Sequence, residues 1–292
     1  MSVDQRLRAL ALYDAMEYPP TIPELELISE PGEVEHPMKA KRGRVVFHDR
    51  ETLISEHEKR EHFFARKIRR AKQIARFLAG INGVRFVALC NTTALAHARD
   101  EGDLDVFVIT KKDVISQVRG WSTLRFMFSR PQVRRTEKDA VCLSYFVDEE
   151  ALNLTSHQLP ADHMSRPEAA YDDPYFRCWF FSLLPLFDDG VSMQLWEANR
   201  ELRKMHPHAM PWIVSEDIRV KRPWYRIPTS SRLESIARKL QEWFLSTRLK
   251  RMRNQDTRVI INNHVLKFHV DDGRQMYRDR YRETCKKYGV AP

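Results

Sequence analysis

Residues Val84–Thr110, reading VRFVALCNTTALAHARDEGDLDVFVIT, constrain the fold more than any other stretch of the chain. The apolar run Val84–Cys90 is too short for a membrane span and is bounded like a buried strand. Asn91-Thr92-Thr93 makes a small polar turn, Ala94–Ala98 can start a helix, and Arg99–Gly102 is a charged turn. A second strand, Asp103–Thr110, then alternates its faces. Asp103, Asp105, Phe107 and Ile109 point one way, and Leu104, Val106 and Val108 the other. Two carboxylates on one strand face are costly to bury unpaired, because each charge loses its hydration. A divalent cation offsets that cost, and paired acidic oxygens suit Mg²⁺.

This stretch resembles the active-site signature of the DNA polymerase beta-like nucleotidyltransferase superfamily, G-S-x-A-x-G, a spacer, then S-D-I-D. Laid on without gaps, Asn91 falls at the first Gly, Thr92 at the Ser, Ala94 at the Ala and Ala96 at the second Gly. Gly102 falls at the next Ser, and Asp103 and Asp105 at the two Asp. Asn91, Ala96 and Gly102 depart from the signature. Asn is among the few non-glycine residues that tolerate a left-handed backbone, so Asn91 suits the tight turn.

The resemblance implies an α/β (α+β) fold, with the small mixed sheet of the polymerase beta-like nucleotidyltransferases flanked by helices. It implies Asp103 and Asp105 as catalytic metal ligands for Mg²⁺ or Mn²⁺, with a nucleoside triphosphate as substrate. Asn91 and Thr92 would present N–H groups and a hydroxyl to its phosphates. Arg125, in a crossover helix that carries a Trp and an Arg in similar proteins, and Lys267 are the first basic phosphate-binding candidates. A third carboxylate normally stands on a neighbouring strand, and the midpoint of the strand Val141–Asp148 is Ser144. Asp139, Asp148 or no residue fills that role.

The rest of the chain frames this core. At 292 residues there is room for two domains, or for one with a helical appendage. Residues 1–50 read as two short helices and a basic hairpin, Lys41–His48, which suggests a winged-helix-like segment. The YDAMEYPPTIPEL stretch within it is similar to the start of predicted nucleotidyltransferases of this kind. Residues 51–160 hold the nucleotidyltransferase core, and 161–292 a mainly helical region. Helices are expected over Glu51–Ala79, Val114–Phe128, Asp172–Phe187, Val191–Met205, Leu233–Met252 and Arg274–Tyr288, and a short strand at Val133–Arg135. The aromatic stripe from Tyr175 to Phe180 reads as core packing, with stacking on a base as the functional alternative. In the tail, Leu266-Lys267-Phe268-His269 resembles a segment of the same proteins. If that segment is extended, Lys267 and His269 share a face, the first to offset phosphate charge and the second to assist proton transfer. His206 and His208 lack a third ligand nearby, which argues against zinc.

Cys90, Cys142, Cys178 and Cys285 form no CxxC pair and read as buried thiols of a reducing compartment. With no secretory pattern at MSVDQRLRAL and no long apolar run, the cytoplasm is the expected location, without membrane association. A formal charge of +9 favours anionic partners, among them nucleic acid through the basic surface. The expected activity is transfer of a nucleoside monophosphate to an acceptor hydroxyl on a protein, a small molecule or RNA. The alternative is a catalytically degenerate relative of the same fold that binds nucleic acid or a partner. A toxin–antitoxin component is compatible with either.

Overall fold

The computed structural model describes residues 2–128, 138–161, 170–204, 206 and 209–292. The expected strand at Val133–Arg135 and the side chain of His208 lie outside those residues.

The chain opens with α1 (Ser2–Ala15), α2 (Ile22–Leu27) and a hairpin of β1 (Met38–Lys41) and β2 (Arg44–Phe47). Thr21 starts α2 with a capping box: its hydroxyl accepts from Glu24 N, and the Glu24 carboxylate accepts from Thr21 N at 2.7 Å. Next come α3 (Thr52–Glu61), α4 (Phe64–Ala79), β3 (Val84–Leu89), the single turn α5 (Asn91–Ala94), β4 (Leu104–Thr110), α6 (Ile115–Phe128) and β5 (Val141–Asp148). The last part holds α7 (Pro174–Phe181), β6 (Leu184–Asp188), α8 (Ser192–Ala198), α9 (Arg200–Arg203), α10 (Ser231–Phe244), α11 (Thr247–Met252), β7 (Val259–Ile261), β8 (Val265–Phe268) and α12 (Arg274–Lys287).

Apart from the hairpin, the strands form one mixed sheet in the order β6-β3-β4-β5-β8-β7, antiparallel except for the parallel pair β4 and β5. The alternation read from β4 holds in space. Phe107 and Ile109 enter one apolar layer, with α1, α7, α8 and α12, while Leu104, Val106 and Val108 enter the other, with α4 and α6. This is an α+β architecture with helices on both faces of a small sheet.

Several expected elements differ. Glu51–Ala79 is two helices. α3 packs Leu53 and Ile54 against Val46 of the hairpin, while α4 packs Ala71, Ile74 and Leu78 on the sheet. One straight helix cannot reach both surfaces. Asp172–Phe187 is a helix followed by the edge strand β6, and Val191–Met205 and Leu233–Met252 are each two short helices. The region after residue 160 therefore supplies β6, β7 and β8, three of the six strands of the sheet. Nor does the N-terminal segment have a core of its own: Leu10, Leu25 and Phe47 share one cluster with Phe107, Trp179 and Tyr281. The four cysteines are free, and no described helix is long and apolar enough to cross a membrane.

α10 turns its polar side inward. Glu234, which is buried, accepts from Ser116 N (2.7 Å), Gln117 N (3.3 Å) and Gln117 Nε2 (3.1 Å), and so caps the first turn of α6 from another part of the chain. Leu233, Ile236, Leu240, Trp243 and Phe244 face outward. Glu234→Ala leaves the two backbone N–H groups without their acceptor, so a loss of about 3 kcal/mol is expected in urea unfolding. An unchanged midpoint would show that α6 finds other acceptors.

Candidate functional site

The bend after β3 sits against the start of β4. Asn91 adopts φ 57° and Ala96 φ 53°. These are the two positions where the signature has glycine, and both have the left-handed backbone that glycine normally supplies. Cys90 N donates to Asp105 O (3.1 Å), and the buried Thr93 hydroxyl donates to Asp103 O (3.2 Å), which ties the bend to the acidic strand. Ala96 has no side-chain hydrogen bond to offset its conformation. Ala96→Gly is therefore expected to stabilise the fold by about 0.5–1 kcal/mol, the relief of left-handed strain less the extra entropy of the unfolded chain. A lowered thermal midpoint would contradict it.

Asn91 is a two-sided clamp. Its Nδ2 donates to Asp105 Oδ2 (2.8 Å), and its Oδ1 accepts from the Tyr175 hydroxyl (3.0 Å). Asp105 is half-buried and Asp103 exposed, and both line a cleft of about 600 Å³. Burial pushes the Asp105 carboxyl above its usual value, and the Asn91 and Cys142 hydrogen bonds only partly offset that. Tyr175 stacks on Tyr277 at 4.5 Å and 7°, and both rings, with Phe176 and Trp179, form an aromatic wall of the cleft.

β8 brings the opposite wall. Lys267 and His269 share the cleft face, as the extended reading requires. Lys267 is almost fully buried. Its ammonium donates to Thr257 O (2.7 Å) and lies over the rings of Tyr145 (5.4 Å) and Phe176 (5.7 Å). Burial, then the nearby Arg274 charge, lowers its pKa to about 7. Arg274, at the start of α12, is held by Asp272, by Asp173 (3.0 Å) and by the His157 carbonyl (2.7 Å). Arg248 joins the rim, paired with Asp271 at 2.7 Å.

Ser144 occupies the place expected of a third carboxylate. Its hydroxyl is 2.8 Å from His269 Nε2 and within hydrogen-bond reach of the Cys142 thiol at 3.2 Å. Neither candidate substitute lines the cleft. Asp139 is bound by Arg66 and Lys67, each at 2.8 Å. Asp148 is fully buried against His264 (2.8 Å) and pairs in register with Thr110. At ~3.3 Å per residue, five steps along β4 separate it from the level of Asp105 by roughly 17 Å.

Two further expectations need correction. Arg125 is exposed on α6, with its guanidinium over the Phe77 ring, and does not line the cleft. Thr92 is exposed and borders a smaller hollow beside Tyr18 and His97. The structure thus brings Asn91, Asp103, Asp105 and Lys267 together and leaves Thr92 and Arg125 outside. Sequence reading missed Tyr277 and Arg274, which have no local motif and reach the cleft only through the fold; Arg248 opens the basic run Arg248–Arg253, which suits an anionic partner as well as a solvated helix face. The aromatic stripe is core as expected at Phe180, but Tyr175, Phe176 and Trp179 also face the cleft.

Among the described residues no group of three or more His, Cys, Asp or Glu side chains could hold a metal by itself. No protein-family model, curated protein or solved structure matches the chain.

Proposed function

We propose that the chain is a metal-dependent nucleotidyltransferase that moves a nucleoside monophosphate from a nucleoside triphosphate to an acceptor hydroxyl. The observation that carries this reading is the convergence of the Asn91 bend and the Asp103–Asp105 pair in one cleft, joined by the 2.8 Å bond from Asn91 to Asp105. The left-handed backbone at both glycine positions of the signature supports the resemblance independently. So does the order of strand, bend, strand, crossover helix and parallel strand from β3 to β5. On this reading the sheet is a polymerase beta-like core and residues 1–50 its winged-helix-like segment.

The donor set fits a metal that arrives with its substrate. Mg²⁺ commonly takes one or two protein carboxylates and completes its octahedron with water and phosphate oxygens. Asp103 and Asp105 would hold that Mg²⁺ or Mn²⁺. When bound, the ion supplies charge stabilisation at the reacting phosphate. The chain's own groups do the remaining work. Asn91 fixes the Asp105 carboxylate. Lys267 uses one of its three N–H donors on Thr257, and its ammonium would offset phosphate charge in the cleft. The Tyr175–Tyr277 wall offers a flat apolar surface to a base.

The runner-up is a binding module of the same fold without catalysis, and Ser144 in the third-acid position favours it. Incubation with α-labelled nucleoside triphosphates, Mg²⁺ or Mn²⁺ and a mixture of protein, RNA and small-molecule acceptors separates the two. The enzyme reading predicts label on one acceptor class. Nucleotide binding with no transfer to any class would support the module. Nucleic-acid affinity falling steeply with salt would give the module its partner.

A further inference from the structure

We propose that Ser144 is itself an acceptor, so that the protein nucleotidylates its own cleft serine with His269 as the base. The inference rests on the nucleotidyl-transfer reading and adds a substrate to it. It starts from the register of β5. Asp105 pairs with Cys142 and Phe107 with Tyr145, so β5 advances three residues where β4 advances two. That shift inserts an extra residue beside the acids. Cys142 and Tyr145, an odd number of residues apart, would face opposite ways on a regular strand. Here both line the cleft, and Ser144 lines it between them. Irregularities of this kind re-aim side chains beside active sites.

The side chains then form a continuous polar line. The Cys142 thiol lies within hydrogen-bond reach of both Asp105 and Ser144 Oγ (3.2 Å), and Ser144 Oγ is 2.8 Å from His269 Nε2. A serine hydroxyl is a weak nucleophile until an adjacent base takes its proton, and the pair is within that reach. At 2.8 Å, His269 Nε2 is within reach to accept the Ser144 proton when that nitrogen carries none. Burial, reinforced by the Lys267 charge, lowers the His269 pKa to about 4, so the imidazole is neutral and open to a proton at neutral pH. A triphosphate beside Lys267 offsets that cation and raises the basicity of His269 when substrate is present.

The step balances. A bond forms between Ser144 Oγ and the α-phosphorus, and the bond from that phosphorus to its β-bridging oxygen breaks. Pyrophosphate leaves with the electron pair, and the hydroxyl proton passes to His269 Nε2.

The test is incubation of the whole chain with each α-labelled nucleoside triphosphate and Mg²⁺ or Mn²⁺ and no other acceptor. Intact mass, peptide mapping and calorimetric triphosphate binding are read on the same samples. The expected result is one nucleoside monophosphate per chain on the peptide containing Ser144, absent in Ser144→Ala and recovered in Ser144→Thr, which keeps a hydroxyl. His269→Gln is expected to slow labelling by about 10²–10⁴-fold. Triphosphate binding without label, or label that persists in Ser144→Ala, overturns this inference and leaves the parent reading standing. Absence of triphosphate binding overturns both.

Discussion

Asp105→Asn is expected to reduce nucleotidyl transfer by about 10³-fold or more while raising the unfolding midpoint at neutral pH. The two effects have one cause. The carboxylate is half-buried on a sheet face, where lost hydration disfavours its charge. A carboxyl whose folded pKa lies above its unfolded value adds its full stability only in acid and loses it as pH rises through that range. At pH 7 the charge is therefore a net cost to the folded protein. Asparagine removes the cost and still accepts from Asn91 Nδ2, so local geometry survives. It does not supply the anionic oxygen that a divalent ion requires. A metal ligand contributes several kcal/mol to such a reaction, and about 4 kcal/mol corresponds to 10³ in rate. Added Mg²⁺ and nucleoside triphosphate should raise the midpoint of the parent chain but not of the variant. A variant that is both less stable and fully active would mean that Asp105 is a structural acid.

The second large effect is loss of stability in mild acid. His97 is held at a pKa of about 3 by burial and the Arg60 charge, and His157, His206 and His269 at about 4, again chiefly by burial. Unfolding exposes each imidazole to water, where it protonates near 6.5. Between pH 6.5 and about 4 the unfolded chain binds protons that the folded chain refuses. Stability therefore falls as pH falls, by up to about 1.4 kcal/mol per pH unit for each histidine. With all four acting together, the slope is on the order of 5 kcal/mol per unit. Urea midpoints at pH 7, 6, 5 and 4.5 measure it. His206→Phe should reduce the slope by roughly a quarter, because one titrating group is lost. A profile flat from pH 7 to 5 would contradict the buried neutral state of these rings.

How much of this could be read from residues alone varies along the chain. The period-two pattern of Asp103–Thr110 placed both acids on one face and Val106 and Val108 on the other, because a pleated strand leaves a side chain no third choice. Val141–Asp148 and Arg274–Tyr288 were equally plain from an apolar run and a polar helical pattern, the helix ending at Lys287. Leu184–Asp188 was not. A short apolar run directly after an apolar helix has no period of its own, and Pro185 sits in an edge strand, where a missing N–H costs little. The break near His62 has no glycine or proline to announce it, since its cause is the two separate surfaces that α3 and α4 cover. Within the cleft, Asn91, Asp103 and Asp105 are close in sequence and were legible as a group. Tyr277, Arg274 and Arg248 arrive from the far end of the chain, and strand pairing at β8 together with packing of α12 on α7 brings them near. Arg125 does not reach the cleft: it is exposed on α6, and its guanidinium rests on Phe77 of α4.

Calorimetric titration of the four common nucleoside triphosphates, with and without Mg²⁺, into the parent chain and into Asp103→Asn plus Asp105→Asn tests the account most directly. The expected result is binding of at least one triphosphate that weakens about tenfold or more when either the ion or the two carboxylates are removed. Binding that is indifferent to both, or no binding of any triphosphate, would contradict it.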